Sequence, residues 1–270
     1  MNDRPLAIFL SPHFDDIALS CGGMAARLSR TGARCIGLVV CAAPALEGVP
    51  PSSFAQEIHG QWESAHGAEA QSINEVRREE ERQAMRLLGL EPVWLEVPDA
   101  IYRHSATGEH FYTSNEALIG GDLTREERNT LVPYVVGKVR RVAKETGIRG
   151  RVRVYAPLGI GRHVDHQLVF QATRLLGPRF GVLYYEDYPY VTREGALAAR
   201  IEELRQPMRP RTTSISELIG VKIAAIARYK SQLDSLFGSA DAMPAAVRAY
   251  GQSVAGEAGG YAERFWQIVA

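Results

Sequence analysis

LAIFLSPHFDDIALSCGGMAARLSRTGARCIGLVVCA, residues 6–42, sets two short, continuous apolar runs on either side of an amphipathic segment. Strands buried on both faces read as unbroken apolar runs, so this pattern predicts a parallel sheet. It gives a strand at Leu6–Leu10, a helix over Ile17–Ser29 and a second strand from Cys35, which together form a βαβ unit. The turn after the first strand, PHFDD, is unusual. A turn needs only Pro, Gly or one Asp, yet His13, Asp15 and Asp16 bring an imidazole and two carboxylates together.

The same alternation continues outward. Residues 42–71 read as loop with a short helix near Trp62, followed by a helix over Ile73–Leu88 that Gly89 stops and the strand PVWLEV. Residues 98–124 form a long aperiodic stretch with three aromatics, two histidines and three glycines, the mark of a functional lid or binding loop. Thr124 and Glu127 make a capping box for a helix reaching about Thr146. The strand RVRVYAPL, the loop GIGRHVDHQ, a helix to Leu176 and the strand GVLYYE follow. Beyond Asp187 the pattern suggests helices at Arg193–Leu204, Ile215–Phe237 and Ala245–Val254. The expectation is one domain over residues 1–270. Its core, 1–190, is a Rossmann-like, doubly wound, mostly parallel α/β sheet flanked by helices, with a long loop insertion; 191–270 is a helical elaboration.

The 270 residues carry 31 basic and 31 acidic side chains and are 46% hydrophobic, as in an ordinary globular chain. Nothing in this balance calls for nucleic acid or an anionic membrane. The basic run Lys138–Val154 is better explained by an exposed helix and a strand edge than by a nucleic-acid surface. No apolar stretch is long enough to span a bilayer, and about six apolar residues near the N-terminus are too few for a signal peptide. A cytoplasmic protein is the expectation. Cys21, Cys35 and Cys41 are odd in number and lack metal-type spacing, so they read as buried small hydrophobes.

Doubly wound sheets bind ligands beyond the carboxyl ends of the strands, where the winding reverses. With strand 1 beside strand 4, the loops PHFDD and GRHVDH face each other. His13, Asp16 and His166 would then supply two imidazoles and one carboxylate, leaving positions open as a catalytic metal site requires. Asp15 remains free as a base for the water such a site activates. His163 is placed to donate a hydrogen bond or a proton, and Asp165 reads as a cap of the helix from Gln167. A two-His, one-carboxylate set also suits iron-dependent oxygen chemistry, although Asp15 is a group that hydrolysis needs and oxygenation does not. A nucleotide-binding module using Cys21-Gly22-Gly23 as a phosphate loop conflicts with the two aspartates and the missing G-x-G-x-x-G.

His13-Phe14-Asp15-Asp16 and His163-Val164-Asp165-His166 resemble the paired motifs of the PIG-L or LmbE-like family of zinc-dependent N-deacetylases. Softer matches are Gly22-Gly23, Arg77 with Glu80, Asp99, Glu186-Asp187-Tyr188-Pro189-Tyr190, Lys222 to Gln232, and Gly260 to Trp266. The resemblance implies metal ligation by His13, Asp16 and His166, with Zn2+ expected and Fe2+ or Co2+ compatible, and Asp15 as general base. It also implies that His163 stabilises the oxyanion or protonates the leaving amine, with Asp165 orienting it. The implied substrate is a small N-acetylglucosaminyl-type sugar conjugate; another N-acyl amide or an ester is the alternative. Phe14 replaces the family's proline and puts the rigidity of that loop in question. Arg77 and Asp99 match substrate-binding positions, against the plainer readings of a solvated helix face and a turn residue. Tyr102, His104, His110, Phe111 and Tyr112 either line an acceptor pocket or pack within the lid. His59 and His66 read as surface residues.

Overall fold

The first two apolar runs pair in parallel, Leu6 opposite Arg34 through Ser11 opposite Val39. The structure, a computed structural model, describes residues 4–45, 48–66 and 70–269, with side chains placed except at 61–66 and 70–72. His66 therefore lies outside the described side chains. The first half of the chain gives β1 (Leu6–Ser11), α1 (Asp16–Arg30), β2 (Arg34–Val39), α2 (Ser53–His66), α3 (Ala70–Leu88), β3 (Glu91–Trp94), α4 (Asn115–Leu118) and α5 (Arg125–Glu145). The second gives β4 (Val152–Pro157), α6 (Val164–Arg174), β5 (Phe180–Tyr185), α7 (Ala196–Leu204), β6 (Met208–Ser214), α8 (Ile219–Ile226), α9 (Leu233–Phe237), α10 (Met243–Ala255) and β7 (Ala262–Ile268).

The seven strands lie in the order β3-β2-β1-β4-β5-β7-β6. The first five are parallel, and β7 pairs antiparallel with both β5 and β6. Winding reverses between β1 and β4, so the loops after these two strands open into one crevice. Alternate β1 residues serve opposite faces. Leu6, Ile8 and Leu10 join a core with Val135 and Val139 of α5 and Leu168 of α6. Ala7 and Phe9 join another with Ile17 of α1, Met85 of α3 and Ile226 of α8. Both faces being dry is the reason the strand reads as a continuous apolar run.

The C-terminal region departs from the all-helical expectation. It contributes β6 and β7 to the sheet. β6, MRPRTTS, is a mostly exposed edge strand whose charges and proline suit an edge and hide any apolar period. The single helix expected over Ile215–Phe237 is broken into α8 and α9 because Glu80 on α3 accepts the Ser231 amide at 2.9 Å and its hydroxyl at 2.5 Å, fixing a turn there. The short helix expected near Trp62 is the 14-residue α2, which takes in more of the segment before α3 than expected. α3 itself starts at Ala70, three residues earlier than the spacing suggests, and ends where expected, at Gly89 with φ +73°, the left-handed position that favours glycine. The capping box of Thr124 and Glu127 is present.

α1 is interrupted at Cys21 (φ −141°, ψ 21°). The break leaves amides without helical partners, and Glu263 of β7 accepts those of Gly23 and Met24 at 2.9 and 2.8 Å. Lys222 of α8 closes on the same carboxylate at 2.7 Å. Gly23 also allows close packing, since a Cβ there would stand 2.6 Å from Ile215. Among the described residues no helix is long and apolar enough to cross a membrane.

Candidate metal centre

The loop after β1 is shaped by its own polar groups. The Ser11 hydroxyl donates to the His13 carbonyl at 2.6 Å, and the His13 amide donates to Asp16 Oδ2 at 2.8 Å. Phe14, where the family has proline, is buried in the α1-side core, so apolar packing anchors the turn. Asp15 sits at φ +102°, a region L residues rarely adopt, with strain on the order of 1–3 kcal/mol. Its amide donates to Glu81 Oε2 of α3 at 3.1 Å.

His13, Asp16 and His166 each bring one ligand-type atom within 4.8 Å of the others. Each histidine is aimed by a carboxylate. His13 Nε2 lies 2.9 Å from Asp165 Oδ2, which leaves Nδ1 facing Asp16 Oδ2 at 3.7 Å. His166 Nδ1 lies 2.7 Å from Asp187 Oδ1, which leaves Nε2 facing Asp16 Oδ1 at 3.5 Å. Two atoms each about 2.1 Å from a tetrahedral zinc lie roughly 3.4 Å apart, so the spacings fit such an ion. Carboxylates behind ligating histidines are the usual outer support of metal sites.

The electrostatics also call for a cation. Burial draws the His13 pKa down, but the hydrogen bond that His13 donates to Asp165 and the charges of Asp99, Asp165 and Asp16 prevail and raise it to about 9. His166 follows the same direction, with burial outweighed by Asp16 and Asp187. Burial favours the neutral acid of Asp165, yet the Arg103 guanidinium and the His13 hydrogen bond hold it ionised, well below the usual carboxylate range. Burial and the adjacent Asp16 push Asp15 upward to about 7, against the pull of Arg77. His163 goes the other way, held well below the ordinary imidazole range by burial and by its cationic neighbour His13. Its Nδ1 accepts the Asp165 amide at 3.2 Å, so the neutral ring carries its proton on Nε2.

One expected contact is corrected. The Asp165 side chain does not hydrogen-bond His163; it bonds His13 and the Ala100 amide, the latter at 3.1 Å, and pairs with Arg103 Nη2 at 2.5 Å. The residue capping α6 is His163 itself. The reason is chain direction: one residue into the helix, Asp165 projects back across the crevice toward β1 rather than onto its own N-terminus. Asp99 does two things, capping the short turn Ala100–Tyr102 and placing Oδ2 3.7 Å from His13 Nε2. Arg77 lies across the Phe14 ring with Nη2 3.9 Å from Asp15 Oδ2. His59, read as a surface residue, is half-buried and bonds Tyr102 at 2.7 Å.

The lid is tied to the second motif. Ile119 bridges to His163, and the Gln167 amide group donates to the carbonyls of Gly121 and Arg162. Behind Asp165, Arg103 pairs with Glu127 at 2.9 Å, the capping-box residue that also accepts from Tyr112 at 2.5 Å; Tyr112 thus packs inside the lid. Two cavities meet here. One of about 230 Å³ is lined by His13, Asp15, Asp16, His163 and His166. The other, about 940 Å³, runs from His13, Arg77 and Asp99 past Tyr102, His59, Pro44 and Pro50.

Sequence reasoning assigned no role to Asp187, Arg103, Glu81 or Tyr229. Asp187 stands just beyond the end of β5, where the strand-end rule had a signal for it, and both Asp187 and Tyr229 fall within the softer family matches; Arg103 and Glu81 carry no signal, since only tertiary packing brings them inward.

The chain is similar to known proteins along most of its length. Residues 8–176 match the family PIG-L, described as GlcNAc-PI de-N-acetylase. The 2'-N-acetylparomamine deacetylase of Niallia circulans is 31% identical over 243 residues, covering 87% of this chain and 84% of that protein. The corresponding deacetylase of Streptomyces fradiae is 28% identical, over 86% and 75%. The crystal structure of a zinc-inhibited form of teicoplanin deacetylase Orf2 superposes with a TM-score of 0.81 at 26% identity, covering 97% of each chain. With the family match spanning more than half of its length and both paired motifs standing around one crevice, the chain belongs to the PIG-L family of de-N-acetylases.

Proposed function

We propose that this enzyme removes the acetyl group from an N-acetylglucosaminyl-type amino sugar within a small-molecule conjugate, with the smaller cavity taking the acetamido sugar and the larger one the remainder. The relatives named as deacetylases of N-acetylparomamine and teicoplanin support the substrate class. The observation that carries the reading is the convergence of His13, Asp16 and His166 with a further carboxylate, Asp15, beside them.

His13, Asp16 and His166 would hold the metal, proposed as zinc; when bound it supplies Lewis acidity toward the acetamide carbonyl and acidifies water. Asp15, 3.9 Å from Arg77, acts as general base and then carries the proton to the departing amine, which leaves only once protonated. His163, neutral and carrying its proton on Nε2, donates a hydrogen bond to the tetrahedral oxyanion. Asp165 orients His13, and Arg77 and Asp99 on the wall shared by the two cavities bind sugar hydroxyls.

Amine release from methyl N-acetylglucosaminide, N-acetylparomamine and larger glycosides, after loading with zinc, tests the reading. Asp15→Asn is expected to lower kcat by about 10²–10⁴-fold with the bound metal retained. Full activity in that variant, or amine release from none of the acetamido sugars, overturns it.

A further inference from the structure

Asp15 is held in its backbone conformation from outside its own loop. Its amide, at φ +102°, points into the protein, away from the cavity, and Glu81 Oε2 accepts it. Glu81 is completely buried on α3, a position where an apolar residue would be ordinary for packing and a carboxylate is expensive to desolvate. The oxygen that takes the Asp15 amide also accepts the hydroxyl of Tyr229, which is fully buried beyond the end of α8. The next residue, Glu80, grips Ser231, so two successive carboxylates of α3 fix the 229–232 turn while one of them reaches the loop after β1. Gln232 at the end of that turn is on the wall of the smaller cavity.

We infer that Glu81, braced by Tyr229, is a positioning residue for the base: it fixes the Asp15 amide and through it the direction of the Asp15 carboxylate. The inference rests on the reading of Asp15 as base, which Asp15→Asn tests separately. Glu81 is neither one of the proposed ligands nor part of the cavity lining, and its one hydrogen bond to the loop after β1 is to the Asp15 amide; Tyr229→Phe separates that contact from the hold on the 229–232 turn. Without Glu81 the Asp15 amide loses its acceptor in a buried place, and the loop relaxes out of the left-handed conformation. A carboxylate misplaced by about 1 Å loses on the order of 10²-fold in rate.

The test uses the zinc-loaded, full-length protein and its Glu81→Ala, Glu81→Gln and Tyr229→Phe variants, with kcat, KM, zinc affinity by chelator competition and Asp15 amide hydrogen exchange as readouts. Glu81→Ala is expected to lose about 10²-fold in kcat, with KM and zinc affinity within threefold of the parent and faster exchange at Asp15. Gln keeps an acceptor oxygen, so Glu81→Gln is expected within about fivefold of the parent. Tyr229→Phe, which leaves the carboxylate in place and unbraced, is expected to lose several-fold in kcat and serves if Glu81→Ala does not fold. Three results overturn the inference: Glu81→Ala or Tyr229→Phe with parental kcat, Glu81→Gln as impaired as Glu81→Ala, or a loss of zinc affinity matching the loss of rate.

Discussion

Asp187 belongs to neither motif, yet it has both oxygens committed. One takes His166 Nδ1 and the other gathers the amides of Gly159 and Ile160, each at 2.9 Å. That arrangement fixes which imidazole nitrogen faces Asp16. Asp187→Ala is therefore expected to weaken zinc binding by about 10–100-fold, measured by competition with a chromophoric chelator. The six motif residues were legible because the strand-end rule confines metal-type side chains to two facing loops. Their supports were not: His13 and Asp165 are 152 residues apart in sequence, and nothing local in either loop announces the pairing. The role of Asp165 was misread for that reason. The family resemblance implied His163 as its partner, whereas the helix turns the carboxylate toward His13.

At the scale of elements, what was legible followed from local rules. The capping box of α5, the glycine stop of α3 and the apolar run of β1 are decided within a few residues. β6 and the α8–α9 break are decided by partners elsewhere, the first by β7 and the second by Glu80. α1 shows how costly such a partner is to lose. Its interruption at Cys21 is sealed by Glu263, which also neutralises the buried Lys222 ammonium. Glu263→Ala leaves two amides and one buried cation without their acceptor, and removing one partner of a buried pair costs about 3–5 kcal/mol. A fall in the urea midpoint of the variant, with unchanged slope, is the expected observation.

Across the whole molecule, a parallel, doubly wound sheet was predictable from alternation, because a βαβ chain with apolar strands has few ways to bury both sheet faces; the strand order was not, and the expectation took only the common case of strand 1 beside strand 4, which β1 and β4 meet. The antiparallel pair was not predictable either, since a strand at a sheet edge or beside it needs no regular apolar period. The buried carboxyls add a global pH dependence. Burial, aided by the Asp15 charge, outweighs the Tyr229 hydrogen bond and raises Glu81 from 4.5 to about 8. Between these values the folded chain keeps a proton that the unfolded chain releases, so this contribution to stability is full below about pH 4.5 and is lost as the pH rises through about 8. Glu81→Gln removes the titration. Its melting temperature relative to the parent is expected to rise steadily from pH 5 to pH 8 in calorimetry; a constant difference contradicts the assignment.

The contact between Glu263 and Gly23 spans 240 positions of sequence, and this bears on the order in which the protein assembles. A nascent chain extended through His166 already contains every proposed ligand, but its first helix still has a broken turn with two unanswered amides. Closing a loop of that length is slow compared with local helix and hairpin formation. Protection of the Gly23 and Met24 amides is thus expected to follow that of β1 and β2 in pulsed hydrogen exchange during refolding, because their acceptor arrives only with the last strand.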